Sequence, residues 1–436
     1  MLFHISTLGC KVNQHESDVL AAALNAYGWQ AAEDGTIADV CIVNTCTVTQ
    51  KASMQSRQII RQLQRRHPGA RIIVTGCYAQ IAPEEIESIE GVHAIVGHRR
   101  KSALPELIVQ AATHADVDPF CSVEDLNTDI PFAEPLMTAP GTRTRPFLKI
   151  QDGCNSFCTY CIVPYARGRS RSMRPAQVLQ HLSHLGAMGY HEVVLTGIHL
   201  GAYGTDLSPS IPLHTMLEQI ETHRPVARIR LSSIEPNELT PSIIDLIASS
   251  DIFCPHFHLP LQSGDDTILK RMHRPYTREL FRQQVLAIKA QIPWAAVGAD
   301  VLVGFPGEDD QAFANTSQLL EELPLSYLHV FPFSRRPGTP ACDYHDQITP
   351  QVVKQRTARI RDISSEKKQL FMNSVVGQKT TILVETRRDT ATGHLKGLTP
   401  NYLTVWLDDD DRHMNTVVPV VVDGVHNNGG LIGHIV

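Results

Sequence analysis

The sequence predicts an α/β protein in three parts: an N-terminal parallel α/β domain, a central partial (βα)6 barrel and a small C-terminal β-barrel. Three observations predict it. Apolar strand patterns alternate with helical patterns through residues 1–112, the rhythm of a parallel sheet covered by helices. The rhythm resumes at Pro146 and runs for about six βα units. Residues 375–436 change to short strands separated by Gly, Asn and Asp turns.

Phe3–Thr7, Asp39–Asn44, Arg71–Thr75 and His93–Val96 read as strands, with helices over Glu16–Tyr27, Ala52–Arg66 and from Pro83. Residues 113–145 lose periodicity, are rich in Asp, Pro, Thr and Ala, and read as a linker. Within 146–374 the strands are Phe147–Gln151, Glu192–Thr196, Arg228–Ser232, His256–Leu259, Ala296–Val301 and Tyr327–Phe331. Helices such as Gln177–Met188 and Arg278–Gln291 separate them, and a long polar helix, Pro350–Asn373, follows. Thr380–Thr386, Tyr402–Leu407, Thr416–Val422 and Leu431–Val436 are the last strands.

Charged residues are 19% of the chain and hydrophobic ones 42%, a globular balance that excludes a disordered or fibrous class. A net charge of −6 argues against non-specific coating of nucleic acid, though not against a local basic footprint. No stretch approaches the ~18 apolar residues of a membrane span, and residues 1–9 lack a signal-peptide pattern, so a cytoplasmic protein is expected. In that compartment cysteines are metal-binding, catalytic or buried rather than disulfide-bonded.

Cys154-x3-Cys158-x2-Cys161 follows a strand. Three closely spaced thiolates hold three irons of a [4Fe–4S] cubane and leave the fourth open. An open iron is what S-adenosylmethionine needs to chelate through its amino and carboxylate groups before one electron cleaves its sulfonium. Structural zinc, the alternative, takes four ligands and fits a compact trio poorly. Tyr160, between the last two cysteines, is placed to pack on adenine or in the core. Cys10, Cys46 and Cys77 each follow a strand of the first domain. The carboxyl ends of adjacent parallel strands converge on one crevice, so these three can meet as a second three-thiolate site; three unrelated buried cysteines is the alternative.

These motifs resemble the methylthiotransferases of the radical S-adenosylmethionine superfamily. The resemblance rests on Thr-Leu-Gly-Cys-Lys-Val-Asn-Gln (7–14), Asn-Thr-Cys-Thr-Val-Thr (44–49), Gly-Cys-Tyr-Ala-Gln (76–80) and the loop 152–168. Leu-Ser-Ser-Ile-Glu-Pro (231–236), Leu-Gln-Ser-Gly (261–264) and Val-Gly-Phe-Pro-Gly-Glu (303–308) extend it. It implies a radical-SAM partial barrel, a C-terminal module similar to the RNA-binding TRAM domain, two [4Fe–4S] clusters, and S-adenosylmethionine as methyl donor and radical source. It also implies an electron donor such as flavodoxin or ferredoxin and a sulfur source. The string after Cys10 is most similar to the branch acting on N6-threonylcarbamoyladenosine at position 37 of the tRNA anticodon loop. Other branches act on isopentenyl-adenosine or on a ribosomal protein side chain. The reaction implied is methylthiolation at C2 of the adenine, whose unactivated C–H is beyond general-base chemistry. A non-enzymatic RNA-binding metalloprotein is the remaining alternative.

Candidate cofactor contacts lie at strand ends: Gly197 in Thr-Gly-Ile-His, then Ser233, Glu235 and Gln262. Arg174, with Arg167, Arg169 and Arg171, is a candidate for the cofactor carboxylate or RNA phosphate. Arg57, Arg61, Arg65 and Arg66, then Arg99, Arg100 and Lys101, are candidate phosphate patches, and a solvated surface is the alternative. In the last module Lys379, Arg387, Arg388 and Lys396 with Tyr402 and Trp406 suit a nucleic-acid face, and Asp408–Asp411 would turn away from it.

Overall fold

Runs of β-branched residues build the first sheet in a computed structural model that describes all residues but 114–118, 127–129, 136–140, 142 and 427–428. Its strands are β1 (Leu2–Thr7), β2 (Gln30–Ala31), β3 (Val40–Thr45), β4 (Arg71–Gly76), β5 (Val92–Val96) and β6 (Phe120–Ser122). All pair in parallel, in the order β2-β1-β3-β4-β5-β6. Every residue of β3 is buried, as a central strand covered on both faces must be. Helices Lys11–Ala26 and Leu104–Thr113 cover one face through Leu20, Leu24 and Ile108. Helices Gln50–Arg66 and Cys77–Ile81 cover the other through Ile60, Leu63 and Tyr78. The direction in which successive strands are added to the sheet reverses between β1 and β3, so the ligand crevice of such a sheet opens above those strands. Strand β6 falls inside the stretch expected as linker; three residues at an edge are too few to show a period. Parts of that linker lie outside the described residues.

The barrel follows with β7 (Phe147–Lys149), β8 (Gln151–Asp152), β9 (Arg171–Ser172), β10 (Glu192–Thr196), β11 (Arg228–Leu231), β12 (His256–Gln262), β13 (Ala296–Val303) and β14 (Tyr327–Pro332). Strands β11-β10-β7 form one parallel half and β12-β13-β14 the other, joined by the bridge Ile229–Phe253. Strand alternation sorts the residues. Leu148, Val193, Leu195, Ile229, Phe257, Leu259, Val297 and Ala299 pack under the outer helices. The opposite, inner face carries Lys149, Glu192, Arg230, His256, His258, Asp300, Tyr327 and His329. An apolar exterior under helices and a polar interior define a lumen.

Helix Pro350–Asn373 is fastened to the barrel by buried Arg356, which donates to Glu308 Oε1 at 2.9 Å and Asp310 Oδ1 at 2.7 Å. Strands β15 (Lys379–Val384), β16 (Leu395–Leu398), β17 (Thr404–Leu407), β18 (Val417–His426) and β19 (Gly430–Ile435) then close a five-stranded barrel, β15-β16-β17-β19-β18. Strand β16 is the one the sequence does not announce. Gly397 breaks its pattern, yet there a Cβ would stand 2.7 Å from Ile382 Cδ1. No helix among the described residues is long and apolar enough to cross a membrane.

Candidate metal centres

The two cysteine trios sit at strand ends, one in the first sheet and one in the barrel. Cys10 caps helix Lys11–Ala26 directly after β1, Cys46 follows β3, and Cys77 opens helix Cys77–Ile81 after β4. Two glycines let the loops converge. A Cβ on Gly9 would stand 2.9 Å from Cys46 Sγ. Gly76 has φ +96°, and a Cβ there would stand 2.4 Å from Thr45 O. Asn13 pins the loops: its Nδ2 donates to Leu8 O at 2.8 Å and to Thr45 O at 3.0 Å. Asn44 donates back to Asn13 O at 2.9 Å, and Thr45 Oγ1 donates to Thr75 O at 2.6 Å. Burial pushes the Cys46 thiol up to about 12, with Cys77 and Cys10 adding to the effect, and burial likewise raises Cys77. Mutual disfavouring of ionisation is what three sulfurs sharing one crevice produce, and a metal relieves it by displacing the protons.

In the barrel loop Gly153, at φ +72°, leaves no room for a Cβ, which would stand 2.0 Å from Arg169 O. Cys154 Sγ lies 3.5 Å from His199 Nδ1 and accepts from Ser156 N at 3.4 Å. Burial alone would raise this thiol; the hydrogen bonds from His199 and Ser156 outweigh it and the net shift is downward. Cys158 Sγ accepts from Arg274 Nη1 at 3.2 Å. Burial, with the neighbouring Cys158 and Cys154, pushes Cys161 up to about 12. Donors aimed at sulfur are the surroundings a thiolate cluster needs.

The other anticipated residues divide. Tyr160 packs edge-on against Phe305, 6.4 Å between centroids. Gly197 permits a close approach by Gln151, whose Oε1 would lie 2.8 Å from a Cβ there, and Gln151 Oε1 accepts from His199 N at 2.7 Å. Glu235 is ion-paired with Arg274, the residue that touches Cys158. Ser233 is half-buried in the turn after β11. Gln262 ends β12 at a bulge with φ +64°. Arg174 is exposed, its amide donating to Gln177 Oε1 at the start of helix Pro175–Ala187.

Several residues that read as phosphate-seeking are buried instead. Arg167 is 0% exposed. It donates to Glu16 at 3.0 Å, to Asp152 at 2.9 Å and to Asn13 Oδ1. Lys149 bridges Glu16 at 2.9 Å and Asp152 at 3.1 Å, Lys101 pairs with Glu16, and Arg171 pairs with Asp152 at 3.0 Å. Burial would raise the Glu16 carboxyl, but Arg167, Lys101 and Lys149 hold it well below its usual range. On the surface, Arg99 and Arg100 pair with Glu124, and Arg57 with Glu85. Arg61, Arg65 and Arg66 stay exposed. In the last barrel Arg388 pairs with Asp411, Lys396 with Glu385 and Asp389, and Tyr402 stacks on His256 at 4.3 Å. Asn13, His199 and Arg274 are residues the sequence did not single out, and Arg167 was anticipated only as a contact to a carboxylate or phosphate outside the chain. Asn13, three residues after Cys10 on the first helical turn, carried the one usable signal.

The fold and the paired trios define a radical S-adenosylmethionine protein with an added parallel α/β domain. Residues 148–320 match the Radical SAM superfamily, and residues 2–97 match a family described as uncharacterized protein family UPF0004. The chain is 38% identical to threonylcarbamoyladenosine tRNA methylthiotransferase MtaB of Bacillus subtilis, over 96% of this chain and 93% of that protein. It is 33% identical to tRNA-2-methylthio-N(6)-dimethylallyladenosine synthase of Pelotomaculum thermopropionicum, over 97% and 95%. It shares a fold with the radical S-adenosylmethionine methyltransferase TsrM of Kitasatospora setae, at TM-score 0.57 and 17% identity over 78% and 75% of the chains. The chain therefore belongs to the radical S-adenosylmethionine methylthiotransferases and is an enzyme of that type.

Proposed function

We propose that this enzyme installs a methylthio group on C2 of N6-threonylcarbamoyladenosine at position 37 of transfer RNA, in the cytoplasm. Cys154, Cys158 and Cys161 hold one [4Fe–4S] cluster, and Cys10, Cys46 and Cys77 hold the second. When bound, the first supplies the electron that cleaves S-adenosylmethionine, and the second carries the sulfur that becomes the methylthio group. An external electron donor and a sulfur source complete the reaction.

The observation that carries this reading is one buried hub, Arg167, which contacts the Cys10 helix through Asn13 and Glu16 and, through Asp152, the strand that precedes Cys154. His199 and Arg274 orient Cys154 and Cys158. The polar lumen below gives an adenine its entry. Greater identity to the threonylcarbamoyladenosine enzyme, 38% against 33%, favours that nucleoside over the dimethylallyl one.

The test is anaerobic reconstitution, an iron count, and reaction with tRNA lacking methylthio, read by nucleoside mass spectrometry. About eight irons per chain and a methylthio gain on the threonylcarbamoyl nucleoside are expected. Four irons would remove the second site, and a gain only on dimethylallyl-adenosine or on a ribosomal protein would reassign the substrate.

A further inference from the structure

A cavity of about 290 Å³ lies where all parts of the chain meet. Lys11 comes from the first sheet domain, Arg143 and Arg145 from the segment before β7, Phe147, Val194 and Arg230 from the barrel interior, and Glu385, Thr386, Arg387 and Tyr402 from the last barrel. Five cations thus face one carboxylate. Three are already engaged: Arg143 with Asp18 at 3.4 Å, Arg145 with Glu385 at 2.9 Å, and Arg230 with Glu192 at 2.8 Å. Lys11 and Arg387 have no hydrogen-bond or ion-pair partner among the described residues.

Resting on the transfer RNA reading above, we propose that this cavity binds the carboxylate of the threonylcarbamoyl arm on N6 of the substrate adenine, through Lys11 and Arg387. Lys11 directly follows Cys10, so an arm held there leaves its adenine beside the sulfur-bearing trio. Val194 and Arg230 of the inner face line the cavity, and Tyr402 on its wall stacks on His256 of that face. Lys11 is half-buried, and Arg143, Arg145, Arg230 and Arg387 line the same cavity, so an incoming anion meets an excess of positive charge. The size suits a short arm better than a run of backbone phosphates, and Phe147 and Val194 supply an apolar wall for the threonine methyl. A neutral dimethylallyl arm would leave Lys11 desolvated and uncompensated, which is discrimination by an unpaired charge.

The experiment uses reconstituted full-length enzyme and anticodon stem-loops bearing N6-threonylcarbamoyladenosine, its methyl ester, N6-dimethylallyladenosine or adenosine at position 37. Affinity is read by fluorescence anisotropy at fixed salt. Wild type is expected to prefer the acid over the ester by roughly 30-fold, the lower end for an unpaired charged partner. Lys11→Met should bring that ratio close to one while the adenosine loop binds within twofold of wild type. Arg387→Gln, an exposed change on the last barrel, should reduce it in part. An equal loss on all four loops would make these residues phosphate contacts and overturn the proposal, as would a wild type that does not distinguish acid from ester. Failure of the function reading has a different signature: no methylthio product on any loop, whatever the binding ratio.

Discussion

Replacing Arg167 with Met should loosen the junction of sheet and barrel by about 3 kcal/mol. The side chain is 0% exposed and spans Glu16, Asp152 and Asn13. Removing one partner from a buried ion pair costs about 3–5 kcal/mol when the other charge is left alone. Neither carboxylate is left alone here. Glu16 keeps Lys101 and Lys149, and Asp152 keeps Lys149 and Arg171. The surplus of cations in the cluster also falls, which offsets part of the loss. One net charge-assisted hydrogen bond, about 1.5–3 kcal/mol, is the floor, so the low end of the pair-breaking range applies. Because a chain of several parts need not unfold in one step, the readout is native-state hydrogen exchange over 11–26 and 163–167. Exchange there should accelerate on the order of 100-fold, with exchange in the last barrel unchanged. Arg167→Lys, which keeps the charge and loses the fork, should fall between. A change below about threefold in both segments would refute the reasoning, since a hub that carries the junction cannot be removed silently.

Gly76→Ala puts a Cβ into Thr45 O at a positive-φ position, so iron should fall from about eight to about four per chain while reductive cleavage of S-adenosylmethionine persists. Retention of all the iron would contradict that geometry. Arg274→Gln removes both the Glu235 pair and the donor to Cys158, and cleavage of S-adenosylmethionine should slow by about 10–100-fold in a single-turnover assay. An unchanged rate would assign Arg274 to packing alone. Burial, reinforced by Lys149, lowers His15 to about 4, with the carbonyl of Phe147 and Glu16 opposing and His181 adding a smaller push downward. The unfolded ring titrates near 6.5 and the folded one near 4, so the unfolded state binds the extra proton. Stability therefore falls as pH drops from about 6.5 to 4, by up to about 3 kcal/mol. His15→Gln should narrow the gap between urea midpoints at pH 7 and pH 4.5, and an identical gap would count against the assignment.

Much was readable without coordinates. Period-2 and period-3.6 patterns announce the βα rhythm, because burial on one face imposes the spacing wherever an element is long enough. Short or interrupted elements escape it: β2, β6 and β16 have 2, 3 and 4 residues. The barrel trio is legible because its cysteines are adjacent in the chain. The second trio is legible only through topology, since each cysteine follows a strand. Spacing says nothing about which of ten cysteines converge.

By itself the sequence determined the α/β class, the partial barrel and the family. Those are properties of local periodicity and of motifs whose members sit close together or recur after each strand. Tertiary structure decided what the charges do. Arg167 and Lys101 carry the same composition signal as Arg61 and Arg65, yet Arg167 is buried between Glu16 and Asp152 and Lys101 is held by Glu16, while Arg61 and Arg65 face solvent. Lys11, in the sequence only part of the motif after Cys10, stands in a cavity lined by the first domain, the segment before β7, the central barrel and the last barrel. A side chain's charge is written in the chain, but its solvation and partners depend on residues more than a hundred positions away, as Asn13 and Arg167 show across 154 positions. Only the folded arrangement brings those together.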